Sequence, residues 1–143
     1  MLKTPKRKQQ PEFEFQKTLA QFLCVQYPKI LFLSDMRGFL SLTFPQANRS
    51  KSVQKPEFAC PDLICFAPRR GYHGLFLELK AETVWKKDGT LKSDPHLKAQ
   101  AKTILDLQSI GYFVEFVWDF DDARKIIDWY LRGEPTGSSY RNK

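Results

Sequence analysis

The chain has 143 residues, 42% apolar and 14% aromatic, which favours one packed domain and excludes a wholly disordered chain. Its 23 Lys and Arg against 16 Asp and Glu give a net charge of +7, which points to a polyanionic partner, nucleic acid first. No apolar run approaches the roughly 18–20 residues of a membrane span, and three loosely spaced cysteines do not make a disulfide framework. The basic N-terminus lacks the apolar stretch of a signal peptide, so a soluble, reduced, cytoplasmic domain is expected.

Residues 1–11 carry Lys3, Lys6, Arg7 and Lys8 with no acid and are expected to form a flexible basic arm. The spacing of Phe15, Leu19, Phe22 and Leu23 predicts a helix over 12–26, stopped by Pro28. Two β-like runs follow, Ile30–Leu33 and Phe39–Phe44, with Arg37-Gly38 between them. Residues 45–59, rich in Pro, Ser and basic side chains, read as a long loop. Strands are predicted at Asp62–Phe66 and Leu75–Ala81, joined by a turn over Arg69–Gly74, with a polar loop over Trp85–Ser93. Asp94-Pro95 supplies an N-cap and a first-turn proline for a helix running to Ile110, where Gly111 ends it. A strand over Tyr112–Trp118 and a helix over 121–132 close the domain, and residues 132–143 read as a flexible tail. The order α-β-β-β-β-α-β-α predicts an α/β fold, a mixed sheet flanked by helices, over 12–131.

Charge is uneven along this body. Residues 37–102 hold twelve basic and six acidic groups, whereas 103–131 hold two basic and six acidic. Within the basic stretch lies a constellation able to do chemistry. Side chains alternate along a strand, so Glu78 and Lys80 share one face of Leu75–Lys80 while the leucines share the other. Pro61-Asp62 places a second carboxylate at the end of a neighbouring strand. An Asp, a Glu and a Lys brought together suit Mg²⁺ and a phosphodiester, with the Leu79 carbonyl as a further oxygen ligand. Mg²⁺ there would polarise the phosphate and lower the pKa of a water, while the ammonium holds or activates the nucleophile. Glu-x-Lys by itself is a common tripeptide and reads as a strand salt bridge; Asp62 sixteen residues earlier gives it force.

Pro61-Asp62 followed by Glu78-Leu79-Lys80 resembles the PD-(D/E)xK nuclease signature, and more specifically the VRR-NUC family of virus-type replication-repair nucleases. Glu14-Phe15-Gln16, the glycine-led strand Gly74–Lys80, the run Gln100…Leu105…Gly111-Tyr112…Val114 and the ending Asp121-Asp122-Ala123…Ile127…Tyr130-Leu131 are similar to that family in order and spacing across 12–131. The resemblance implies a restriction-endonuclease-like fold. It also implies Asp62 and Glu78 as metal-binding carboxylates, Lys80 as the catalytic lysine, Glu14 as a first-helix acid completing the metal shell, and Gln100 as a brace. Glu12 stands half a turn from Glu14 and is an alternative for that acid.

Gln100 also falls beside the apolar face marked by Leu97, Ala101 and Ile104, where an inward amide needs a hydrogen-bond partner. The expected activity is Mg²⁺-dependent endonucleolytic cleavage of DNA, with Mn²⁺ able to substitute and no nucleotide cofactor, because no glycine-rich phosphate loop occurs. Arg49, Lys51, Lys55, Arg69, Arg70, Lys86, Lys87 and Lys92 are the expected phosphate contacts. Trp85, Tyr72 and Phe58, in loops around the site, are the candidates for stacking on unpaired bases. The family implies branched or structured DNA such as Holliday junctions, a homodimer, DNA repair and a phage or prophage origin. A non-catalytic nucleic-acid-binding module and an RNA-directed nuclease are the alternatives.

Overall fold

The computed structural model describes residues 11–35 and 40–137. Residues 1–10 of the expected 1–11 arm, residues 138–143 of the expected tail, and Arg37-Gly38 with Phe39 lie outside the described residues, while Pro11 begins the first helix.

The first helix, α1 (Pro11–Gln26), ends two residues before Pro28; it buries Leu19 and Leu23 and packs Phe15 and Phe22 against the core. The first strand, β1 (Phe32–Ser34), is short. The strand expected over Phe39–Phe44 does not form among its described residues. Thr43 instead caps a helix, its hydroxyl accepting from the Gln46 amide while the Gln46 side chain accepts from the Thr43 amide. That reciprocal pair, with Pro45 in the first turn, satisfies free helix-end donors and turns part of the expected 45–59 loop into α2 (Phe44–Ser52).

Next come β2 (Leu63–Cys65) and β3 (Leu75–Leu79). Then α3 (Pro95–Ser109) is capped by Asp94, whose carboxylate accepts from the His96 amide at 2.8 Å. Gly111 ends its turn at φ +97°, where a Cβ would strike the His73 ring. The chain closes with β4 (Phe113–Val117) and α4 (Phe120–Leu131), the latter capped by Asp119.

The observed order is therefore α-β-α-β-β-α-β-α. The four strands lie side by side in chain order, β1–β2–β3 antiparallel and β3–β4 parallel. One face carries Leu63, Leu75, Leu77, Leu79 and Val117 against Leu19 and Leu23 of α1 and Ile127 and Tyr130 of α4. The other carries Phe76 and Val114 against Ile104 of α3. With helices on both faces every residue of β3 is buried, Glu78 included.

Residues 132–137 are not a free tail. The Glu134 carbonyl accepts from the Arg70 amide at 2.9 Å, and the Thr136 amide donates to Pro68 at 3.1 Å. The Thr136 hydroxyl donates to the Tyr72 carbonyl at 2.9 Å. These bonds fix the segment to the β2–β3 turn.

Candidate functional site

The strand directions determine what meets at each end of the sheet. β1, β3 and β4 finish where β2 begins, so Ser34, Lys80 and Trp118 come to the same end as Asp62. The turn Arg69–Gly74 lies at the other end.

At the first end Asp62 precedes β2 and its carboxylate accepts from the Leu79 amide at 2.8 Å. This bond ties the acid to the strand that carries Glu78. Glu78 is 3% exposed, on the α3 face, and its carboxyl meets that of Asp62. Burial, then the Asp62 charge, pushes the Glu78 carboxyl well above its ordinary range, against the opposing pull of Lys80. Burial raises Asp62 as well, opposed by its hydrogen bonds to Glu78 and the Leu79 amide and by the Lys80 charge. Two carboxyl groups side by side, both raised by burial and Glu78 also by the Asp62 charge, form a site that favours a cation.

Two glutamines hold this pair. Gln100 points inward: 6% exposed, it donates to Glu78 Oε1 at 2.9 Å, and its Nε2 stands 3.3 Å from His96 Nε2 one turn earlier. Gln16 of α1 is also buried. Its Nε2 lies 2.7 Å from the Asp35 carbonyl oxygen, 3.0 Å from Ser34 Oγ and 3.2 Å from the Asp62 carbonyl oxygen, stitching the helix to both strand ends. The Oε1 atoms of both glutamines are buried and have no hydrogen-bond partner among the described residues. Sequence reasoning noted Gln16 only as part of a motif. The available signal was its place three residues before Leu19 and seven before Leu23, on the buried stripe of α1. His96 was findable as the i−4 neighbour of Gln100.

Gln16 also decides which first-turn acid faces the site. Glu12 is one turn from Gln16 on the same face, whereas Glu14 is rotated about 200° from Gln16. Glu12 accordingly lines a 440 Å³ cleft with Lys80, Lys92 and Asp94, and its charge reaches Asp62 and Glu78. Glu14 is exposed to solvent.

The expected phosphate contacts divide between the ends. Lys86, Lys87 and Lys92 follow β3 in a loop tied by the pairing of Trp85 with Leu91 and by a 2.7 Å bond from the Lys86 amide to Thr90. Arg49, Lys51 and Lys55 lie on and after α2, which buries none of its residues and sits in the connection from β1 to Asp62. Arg69 and Arg70 are at the far end and are no part of this cluster. The Arg70 guanidinium lies 4.3 Å over the Trp129 ring and its Nε donates to the Trp129 carbonyl at 2.8 Å. Tyr72 is likewise excluded from stacking on bases, because its ring packs against Phe113 and Tyr130. Trp85 and Phe58 remain exposed.

Among the described residues, no group of three or more His, Cys, Asp or Glu gathers to hold a metal ion, and no helix is long and apolar enough to cross a membrane. Two carboxylates nevertheless fit Mg²⁺, which keeps several waters and is commonly held by one or two carboxylates together with substrate phosphate oxygens.

Neither protein-family models nor curated proteins give a match to the chain. A solved structure described as "VRR_NUC domain protein" superposes with a TM-score of 0.60, covering 92% of this chain and 96% of its own, at 23% identity. The two chains share a fold, the α/β mixed sheet with flanking helices expected from the sequence.

Proposed function

We propose that the chain is a VRR-NUC nuclease of the PD-(D/E)xK type, a Mg²⁺-dependent endonuclease that hydrolyses DNA phosphodiesters. The observation that carries this reading is the half-buried Asp62 against the buried Glu78, with Lys80 beside them and Lys92 of a basic loop in the adjoining cleft. Asp62 and Glu78 would hold the cation, with the Leu79 carbonyl as a third oxygen. A divalent ion there supplies Lewis acidity toward a phosphodiester oxygen and a lowered pKa for water.

The chain's own residues do the rest. The Leu79 amide and Gln100 fix the two carboxylates in place, so little reorganisation is needed when substrate arrives. The Lys80 ammonium holds the scissile phosphate and stabilises the charge that builds on it. Lys86, Lys87 and Lys92, with the α2 cations, bind the flanking phosphates without reading sequence. Branched DNA and a homodimer are carried over from the resemblance as the substrate form and assembly. The shared fold supports the family reading, and the acidic pair in a basic surround supports catalysis over simple binding.

The test is cleavage of a labelled panel of duplex, single-stranded, flap, fork and four-way DNA, beside RNA, with Mg²⁺ or Mn²⁺ and with chelator. Cleavage of DNA that stops with chelator is expected. A wild-type chain inert on every form with both metals overturns the proposal.

A further inference from the structure

Two of the three tryptophans stand at the site end, and a groove lies between them. Trp85 follows β3 and Trp118 follows β4, 42% and 37% exposed. Together with Ile104, Leu105 and Phe116 they line a mainly apolar cavity of about 440 Å³, with Gln108 and Glu115 supplying polar atoms. The groove lies on the strand next to the one that carries Glu78. Phe116 is the register partner of Glu78 and projects from the same face of the sheet, and the Lys80 amide donates to the Val117 carbonyl at 2.8 Å. One strand spacing, about 5 Å, therefore separates the Phe116 backbone from that of Glu78.

Large indole surfaces left in water beside a buried polar site call for an occupant. Lys86 and Lys87 come directly after Trp85, so two cationic residues adjoin one wall of the groove in the chain. That pairing matches a nucleic-acid strand, with a base against an indole and phosphates against ammonium groups. Trp129, 44% exposed at the far end, instead stacks with the Arg70 guanidinium 4.3 Å over its ring, and no apolar groove is formed with a second indole there among the described residues.

We propose that the Trp85–Trp118 groove receives an unstacked nucleobase from a single-stranded segment next to the bond being cut. The inference rests on the nuclease reading for its orientation, but base docking is measurable without cleavage. It selects DNA with unpaired bases, because a base held in a duplex cannot enter the groove.

The test uses the full chain in Ca²⁺, with a single-stranded oligonucleotide and its duplex as probes. Affinity is read by anisotropy and docking by tryptophan fluorescence. The single strand should quench fluorescence more than the duplex. Trp85→Ala and Trp118→Ala should each lower the ratio of single-strand to duplex affinity about tenfold, the scale of one lost base–aromatic stack. Trp85→Phe should restore most of that ratio, and Trp129→Phe should leave it at the wild-type value. An unchanged ratio in both alanine variants overturns the proposal. So does a shift of their sedimentation to a smaller species, which would mean that a second copy of the chain covers the groove. If the groove fails while wild type cleaves DNA in Mg²⁺, only this inference falls. If wild type cleaves nothing but the tryptophan results hold, the nuclease reading falls and base docking stands.

Discussion

At the end of the sheet where β2 begins, the half-buried Asp62 carboxyl meets the buried Glu78 carboxyl, and two buried glutamine oxygens lack partners among the described residues. At the opposite end, the buried Tyr130 hydroxyl donates to the Ala67 carbonyl at 2.7 Å and accepts from the Arg69 amide at 3.2 Å. There the Arg70 guanidinium stacks on the Trp129 ring and Thr136 closes the turn. Both ends use polar side chains against an apolar sheet. One presses two acids together and raises both by burial; the other pairs its groups. Uncompensated burial costs stability and is retained where a ligand or reaction uses it, whereas paired burial holds the fold together.

Substitutions at the two ends should separate rate from stability. Lys80→Ala should lower the initial rate of DNA cleavage by about a hundredfold or more while junction affinity in Ca²⁺ changes only a few fold. Equal losses of rate and affinity would make Lys80 a binding residue alone.

Glu78→Gln should abolish cleavage yet raise thermal stability in metal-free buffer, by about 1–2 kcal/mol near neutral pH, because it removes a buried acid pressed against Asp62. The sign of the pH effect follows from the raised pKa. Between the ordinary glutamate value and the raised one, the folded chain keeps a proton that the unfolded chain releases. Stability is therefore full below that window and falls as pH rises through it. Wild-type Tm should decline across the window and the decline should be shallower in Glu78→Gln; identical slopes would remove Glu78 from the account.

Tyr130→Phe should do the reverse, costing about 1–2 kcal/mol in urea unfolding with cleavage at 25 °C intact. The smallest effect distinguishes cations. Lys92→Ala should reduce the slope of log affinity against log salt by about one, whereas Arg70→Ala should leave that slope alone and lower stability by about 0.5–1 kcal/mol.

Much of this arrangement was legible in the residues. Apolar spacing in α1 and α3, the Asp94-Pro95 cap and the Gly111 stop are local signals, and local structure follows them. Phe39–Phe44 misled because an apolar alternation was read without the Thr43…Gln46 capping pair, whose hydrogen bonds favour a helix. Asp62, Glu78 and Lys80 were visible because their types and spacing sit on two consecutive strands. The choice of Glu12 over Glu14 was not, since it depends on which face of α1 meets β1 and β2, a tertiary fact set by Gln16. Arg69 and Arg70 looked equivalent to Lys86 and Lys87 as charges. Only strand direction shows that a strand's length separates them from the acids.

The central claim is that Asp62 and Glu78 form a cation site for phosphodiester hydrolysis. Its most direct test is the initial rate of cleavage of a labelled four-way DNA over a Mg²⁺ titration, for wild type and Asp62→Asn. Asparagine keeps an oxygen for the Leu79 amide while removing the charge. The account predicts a wild-type rate that climbs from nothing as Mg²⁺ is added and a flat response for Asp62→Asn. Matching rates for the two proteins at every Mg²⁺ concentration would contradict it.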